Sequence, residues 1–263
     1  MGKFGALQRH VRGGKAEHLA TSDSKESYKI ARYSGQFVVD EMDIIDDRFG
    51  ALEQSSPQDM GLSAAQLRPN LVYAILLANE NLDADATPLF DSDHANETSG
   101  ALANGTLKTA LTLLAKQRIG GRPLNIRGRF LIVPQDLVWT AAELMRSAQL
   151  VVAGNSDIVR GDANVLQNLL EIRADDRIGV TGVVDPRDGT VRAGSATNYF
   201  LAARPGEEGA KTIEVGYLRG TGRMPQVRSF LQQQGQWGVG WDVNMDIGAK
   251  ALDFRSMVYS TGQ

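Results

Sequence analysis

The chain has 263 residues, 42% hydrophobic and 22% charged side chains, no cysteine and a formal net charge of −3. That composition supports one large core or two modest ones, and it excludes disulfides, thiolate catalysis and zinc–thiolate sites. With His10, His18 and His94 as the three histidines, a histidine-rich metal site is not expected, and no apolar run approaches the roughly 18 residues of a membrane-spanning helix. The first ten residues lack the apolar stretch of a secretory signal.

Charge is unevenly distributed along the chain. Residues 1–32 carry seven Lys/Arg against three Asp/Glu, and residues 33–100 carry two against thirteen. The remainder is mildly basic, with nineteen against fifteen. Such blocks suggest a basic arm and an acidic surface that receives a partner.

In chain order, residues 1–27 are rich in Gly, Ser, Lys and His and predict an extended arm that does not pack by itself. Alternation through Ile30, Tyr33, Phe37 and Val39 predicts a strand from Tyr28, ended by the acidic cluster Asp40, Glu41, Asp43, Asp46 and Asp47. Ser56 as N-cap and Pro57 at the first helical position open a helix over 57–80, with Leu67, Leu71, Ala74, Ile75 and Ala78 on one face. Such a helix is about 36 Å long at roughly 1.5 Å per residue. Pro69 removes a helical hydrogen bond, so a break near Arg68 is expected.

Residues 81–106 read as a polar loop around Leu89-Phe90, and a second helix is expected after Thr106, stopped by Gly120-Gly121. A buried-type strand Phe130–Val133 precedes a third helix with Leu137, Val138, Ala141, Leu144 and Met145 on its stripe. Beyond residue 160, strands are expected near 165–172, 178–184, 199–203 and 212–218, with the turn sequence Asp185-Pro186-Arg187-Asp188-Gly189 between them. The last thirty residues again read as strand pairs, with Trp237, Val239, Trp241, Val243 and Met245 alternating strictly.

Catalytic patterns are weak. Asp91, Asp93 and His94 are potential metal ligands, but their spacing lacks the glycine and terminal glutamate of a calcium loop. No Gly-x-Ser-x-Gly elbow supplies a nucleophile, and Arg219-Gly220-Thr221-Gly222-Arg223 lacks the Walker lysine and reads as a tight turn. Basic residues outside the arm have no aromatic platform for reading nucleic acid. Elimination raises a structural role, and the residues alone read as an α+β globular protein with a basic arm, with no catalytic residue, cofactor or metal assigned.

The order of segments, an arm, a strand ending in acids, a long helix, a polar loop, a helix–strand–helix step and a strand-rich tail, resembles the tailed-phage major capsid proteins of the Hong Kong 97-like fold, in particular the Mu-like major head subunits. The matching residues are Asp46-Asp47 ahead of the helix, then Leu89-Phe90, His94, Asn96, Gln117 and Pro123-Leu124. Phe130 to Pro134, Tyr199-Phe200-Leu201, Ile213 to Leu218 and Trp241-Asp242-Val243 to Phe254-Arg255 continue the match.

The resemblance implies an E-loop arm over residues 1–32, a P-domain over 33–118 with a spine helix at 57–80, an A-domain over 119–231 with a central sheet flanked by helices, and P-domain return strands over 232–263. It also implies an arm ahead of the E-loop that the sequence does not contain, an absence expected from processing or from where the sequence was cut. The function implied is a non-enzymatic subunit of an icosahedral phage head, assembled in the host cytoplasm into pentamers and hexamers around double-stranded DNA. Its partners would be other copies of itself, with portal, scaffold or decoration proteins and nonspecific contact with packaged DNA, and no membrane. An encapsulin-type compartment shell is the alternative within the fold, and a small hydrolase or ligand-binding protein the alternative outside it. Inter-subunit contacts are expected between basic Lys15, Lys25, Lys29 and Arg32 and acidic Asp40, Glu41, Asp43, Asp46 and Asp47.

Overall fold

The computed structural model describes residues 2–4, 21–23, 26–46, 56–152, 160–206, 211–220, 222–232, 235 and 237–263. Strands β1 (Gly2–Phe4) and β2 (Thr21–Asp23) pair antiparallel ahead of the ten-residue strand β3 (Ala31–Asp40). The acidic cluster ends β3 by folding into the short helix α1 (Glu41–Asp46). Glu41 and Asp43 lie in its first turn, where carboxylates suit the positive end of the helix dipole.

Helix α2 (Ser56–Ala78) runs through Pro69 as one element, so the break expected near Arg68 does not occur. The carbonyl that loses its partner to Pro69 belongs to Ala65, which is exposed, so water can take the place of the missing N–H. Asn79 ends the helix in the left-handed region with φ 46°, and its side chain brackets Phe90, donating to Phe90 O at 3.0 Å and accepting from Phe90 N at 2.7 Å.

Two further expectations shift. After β4 (Glu97–Thr98), helix α3 spans Asn104–Ala115, starting ahead of Thr106, whose hydroxyl accepts from Ala103 N at 3.0 Å and so closes the first turn. The helix ends before Gly120-Gly121. Those glycines, with φ of 53° and 81°, form the turn between β5 (Arg118–Ile119) and β6 (Arg122–Pro123).

Strand β7 (Gly128–Val133) leads through a 3₁₀ turn at Gln135–Leu137 into α4 (Val138–Arg146), then β8 (Gln149–Val152) and β9 (Arg160–Ala163). The strand expected over 165–172 is mostly turns, because Asn164 accepts from Leu166 N and Asn168 sits at φ 54°; only β10 (Glu171–Ala174) is extended. The expected strand 178–184 likewise shrinks to β11 (Val183–Val184), since Asp175 caps a 3₁₀ turn at Asp176–Ile178. It pairs with β12 (Val191–Arg192) across the turn at Asp185 to Gly189. Strands β13 (Tyr199–Ala203), β14 (Ile213–Tyr217), β15 (Gln226–Leu231), β16 (Gly238–Ala251) and β17 (Met257–Ser260) complete the chain.

Two sheets result. One has the order β10-β7-β13-β17-β4 and carries a core on each face, with its central strand β13 the most deeply buried. In β13 the period of two sends Tyr199, Leu201 and Ala203 into a core with α3 and α4, and Phe200 with Ala202 into a core with α2. The other sheet is built on β16, with β3 along one edge and β14 and β15 end to end along the other. Helix α2 lies on its inner face, where Leu71 and Ile75 meet Met245, Ile247 and Ala249. The first sheet therefore joins residues 128–203 to β17 near the C-terminus and β4 in the loop after α2.

Candidate assembly surfaces

Helix α1 sits at one tip of the long sheet and buries no side chain. Asp40 Oδ1 accepts from Met42 N at 2.9 Å and Glu41 N donates to Trp237 O at 3.2 Å, which turns the chain from strand into helix. Asp40, Glu41, Asp43 and Asp46 are exposed or partly exposed there. Met42 and Ile45, three positions apart on one helix face, are 68% and 69% exposed, and Trp237 beside them is 72% exposed. Val38 and Leu231, on opposite faces of the sheet by their register, are also exposed toward that end. A cluster of large apolar side chains open to water marks an interaction surface.

The basic residues divide differently from expectation. Lys29 is exposed. Arg32 is held within its own chain: its Nε and Nη2 donate to both oxygens of Asp246, its cross-strand neighbour, at 2.8 and 2.9 Å. These hydrogen bonds hold the Asp246 carboxyl below its ordinary range. Lys15, Lys25 and Asp47 lie outside the described residues.

Ahead of β3 the chain is clamped at Glu26. Its carboxylate accepts from the backbone of Asp83 and Ala84 at 3.0 and 2.9 Å and pairs with Lys250 at 3.2 Å. Asp83, bonded to Lys250 and to Ser27 N, is held below the usual carboxylate range. Burial disfavours the Lys250 ammonium, but its two carboxylate partners outweigh that and raise its pKa. Tyr28 then lies over Gly216, where a Cβ would stand 2.5 Å from its hydroxyl.

The residues that resembled a metal loop form a structural knot. His94 Nε2 meets Asp85 Oδ2 at 3.0 Å, and its ring stacks on Phe254 with centroids 3.8 Å apart. Asp91 accepts from Asp93 N, and Asn96, fully buried, bonds Leu89 O, Phe254 O and Asp91 N. Among the described residues, no three His, Asp or Glu side chains are placed to hold a metal.

Sequence reasoning missed the buried Asp185. Its carboxylate takes three hydrogen bonds from the Arg187 guanidinium, which also reaches Glu80 at the end of α2. Burial opposes ionisation of Asp185, yet these bonds lower its pKa, so the β11–β12 turn is pinned to the helix by charge. The sequence signal was the Asp-Pro-Arg-Asp-Gly turn, which gave no hint of Glu80.

Also missed was a groove of about 1070 Å³ between α2, β14 and the edge of the first sheet. Phe130, Ile132 and Met257 line it with apolar surface. Arg68, Arg173, Arg204 and Lys211, all exposed, bring positive charge to it. Arg173 pairs with Glu171, whereas Arg68, Arg204 and Lys211 form no ion pair among the described residues. The two carboxylates in the lining are engaged, Asp175 by Arg177 and Glu214 by the Tyr28 hydroxyl.

Solved capsid structures share the fold. The mature capsid of bacteriophage PhiM1 is similar at 13% identity with a TM-score of 0.61, over 99% of this chain and 80% of that one. The capsid of cyanophage P-SCSP1u is similar at 11% identity and 0.58, over 99% and 81%. The holo-SrpI encapsulin complex from Synechococcus elongatus PCC 7942 is similar at 13% and 0.53, over 92% and 77%. No curated protein matches the sequence. The model of a phage capsid protein family matches residues 24–260, and the chain belongs to that family.

Proposed function

We propose that this protein is the major structural subunit of an icosahedral phage head, which self-assembles through pentamers and hexamers into a shell enclosing double-stranded DNA. The observation that carries the reading is the family match over residues 24–260. The exposed apolar and acidic tip of the long sheet supports it, because large apolar side chains grouped in the open mark a surface that meets a partner. The subunit assembles in the host cytoplasm and resides in the virion. Portal, scaffold or decoration proteins and nonspecific contact with DNA belong to the same proposal.

The domain division is an arm over 1–32, a P-domain over 33–118 and 232–263 with α2 as its spine, and an A-domain over 119–231. Inter-subunit contact engages Lys15, Lys25 and Lys29 on the basic side and Asp40, Glu41, Asp43, Asp46 and Asp47 on the acidic side. Arg32 contributes indirectly, by fixing β3 against β16. Single exposed ion pairs contribute about 0–1 kcal/mol, so the strength of the shell comes from repetition.

Sedimentation and negative-stain electron microscopy at low and high salt, with the nucleic-acid absorbance ratio of any large particles, test this reading. Closed shells, rings or sheets support it, and a monomer at every salt and concentration overturns it. The encapsulin likeness favours one second reading, a compartment shell, which shells filled with protein cargo and free of nucleic acid would establish.

A further inference from the structure

We infer that α1 of one subunit seats in the groove between α2 and β14 of a second copy, a contact that rests on the shell reading and, within its acidic side, gives Asp43 and Asp46 to the groove while Asp40, Glu41 and Asp47 remain with the arm lysines. Helix α1 is six residues long, about 9 Å at roughly 1.5 Å per residue, and carries an apolar pair, Met42 and Ile45, beside an acidic pair, Asp43 and Asp46. Among the described residues, nothing in its own chain buries either pair. The groove offers the complement: apolar lining at the partly exposed Phe130 and Ile132 above the buried Met257, with Arg68, Arg204 and Lys211 free of ion pairs among the described residues.

A subunit cannot satisfy this contact by itself. Helix α1 follows Asp40, which pairs with Gly238 at the start of β16, while Val215 of the groove pairs with Ala249 near its end. Those positions are separated by about 36 Å at roughly 3.3 Å per residue, four times the length of α1. The two faces are also different surfaces, so the contact is head-to-tail, and a head-to-tail contact propagates from copy to copy into rings when its rotation closes. Burying Met42 and Ile45 supplies the non-directional attraction, and the charges fix which end enters.

The test is a charge-reversal cycle in the full chain, read as the concentration of half-maximal assembly by light scattering and sedimentation. Far-UV circular dichroism verifies the fold of each variant. Asp43→Lys with Asp46→Lys, and separately Arg68→Glu with Lys211→Glu, each raise that concentration about tenfold, and the four reversals together restore it toward the unmodified value. Met42→Ser with Ile45→Ser raises it without any change of charge. Reversals that leave assembly unmoved, or a fourfold variant no better than its worse parent, overturn the inference while leaving the shell reading intact. Rescue of the reversed α1 by Lys15→Glu with Lys29→Glu, and not by the groove reversal, also overturns it and gives the acidic helix to the arm instead. An unmodified chain that never assembles overturns both.

Discussion

Asn96→Ala tests the account of the loop that joins α2 to the first sheet. Asn96 is fully buried, and its amide donates to Leu89 O at 2.8 Å and Phe254 O at 3.2 Å while accepting from Asp91 N at 3.0 Å. Alanine removes all three bonds and leaves three backbone groups without that partner, Leu89 O retaining a longer contact to His94. At about 1 kcal/mol net per bond the expected loss is about 2–3 kcal/mol. Asn96→Asp keeps the acceptor but turns a buried negative charge toward two carbonyl oxygens, so its loss at neutral pH is larger. Burial raises the pKa of that new acid, so the variant regains stability as pH falls and the carboxyl is protonated. Urea unfolding of the dissociated subunit at pH 7 and pH 5 measures both effects. A loss under about 1 kcal/mol for alanine, or an aspartate variant insensitive to pH, refutes the assigned bonds.

Phe200 is 1% exposed and packs on Phe90 and Tyr259 at 5.5 and 5.0 Å, so Phe200→Ala costs about 3–5 kcal/mol in urea unfolding. The Tyr199 hydroxyl is buried with no hydrogen-bond partner among the described residues, so Tyr199→Phe holds or raises the unfolding midpoint, and a clear drop would reveal a hidden partner. Arg32 lowers the pKa of Asp246, so the stability this pair supplies is present above the unfolded carboxylate pKa of about 4 and is lost as pH falls through the lower folded value. Asp246→Asn therefore flattens the acid limb of the stability curve. Burial, reinforced by Asp175, pushes the Tyr73 phenol up to about 12, so its contribution is complete below about pH 10 and fades as pH rises toward 12. Tyr73→Phe removes the latest-ionising step from the ultraviolet titration, and an unchanged titration would contradict the assignment.

Elements with strong periodicity were legible in the sequence. The face of α2 at Leu71, Ala74 and Ile75 and the alternation of β16 were readable because one side of each meets a continuous core. Pro69 misled because the cost of proline depends on whether the freed carbonyl is buried, and Ala65 is exposed. Gly120-Gly121 stops a helix or turns a hairpin with the same left-handed geometry, so the pair alone does not choose. Apolar residues over 165–172 looked like a strand, yet Asn164 and Asn168 impose turns through local hydrogen bonds and a positive φ.

Of the candidate surfaces, the acidic stretch was readable as a charge block, but its helical form and exposed Met42 and Ile45 were not. Arg32 looked free because its partner Asp246 lies more than two hundred residues away and meets it only through strand register. The groove was invisible for the same reason: Arg68, Arg173, Arg204 and Lys211 come from three separate parts of the chain. Local pattern reports which face of an element is apolar. It does not report which distant element covers that face, or fails to.

Cryo-electron microscopy of particles assembled from the purified protein decides whether this chain closes into a shell with copies of itself. The expected map shows five- and six-fold rings of subunits, each with α2 lying on the long sheet and the apolar tip around Met42, Ile45 and Trp237 covered by a neighbouring copy. Particles without such symmetry, or subunits whose tip remains open to solvent, would contradict it.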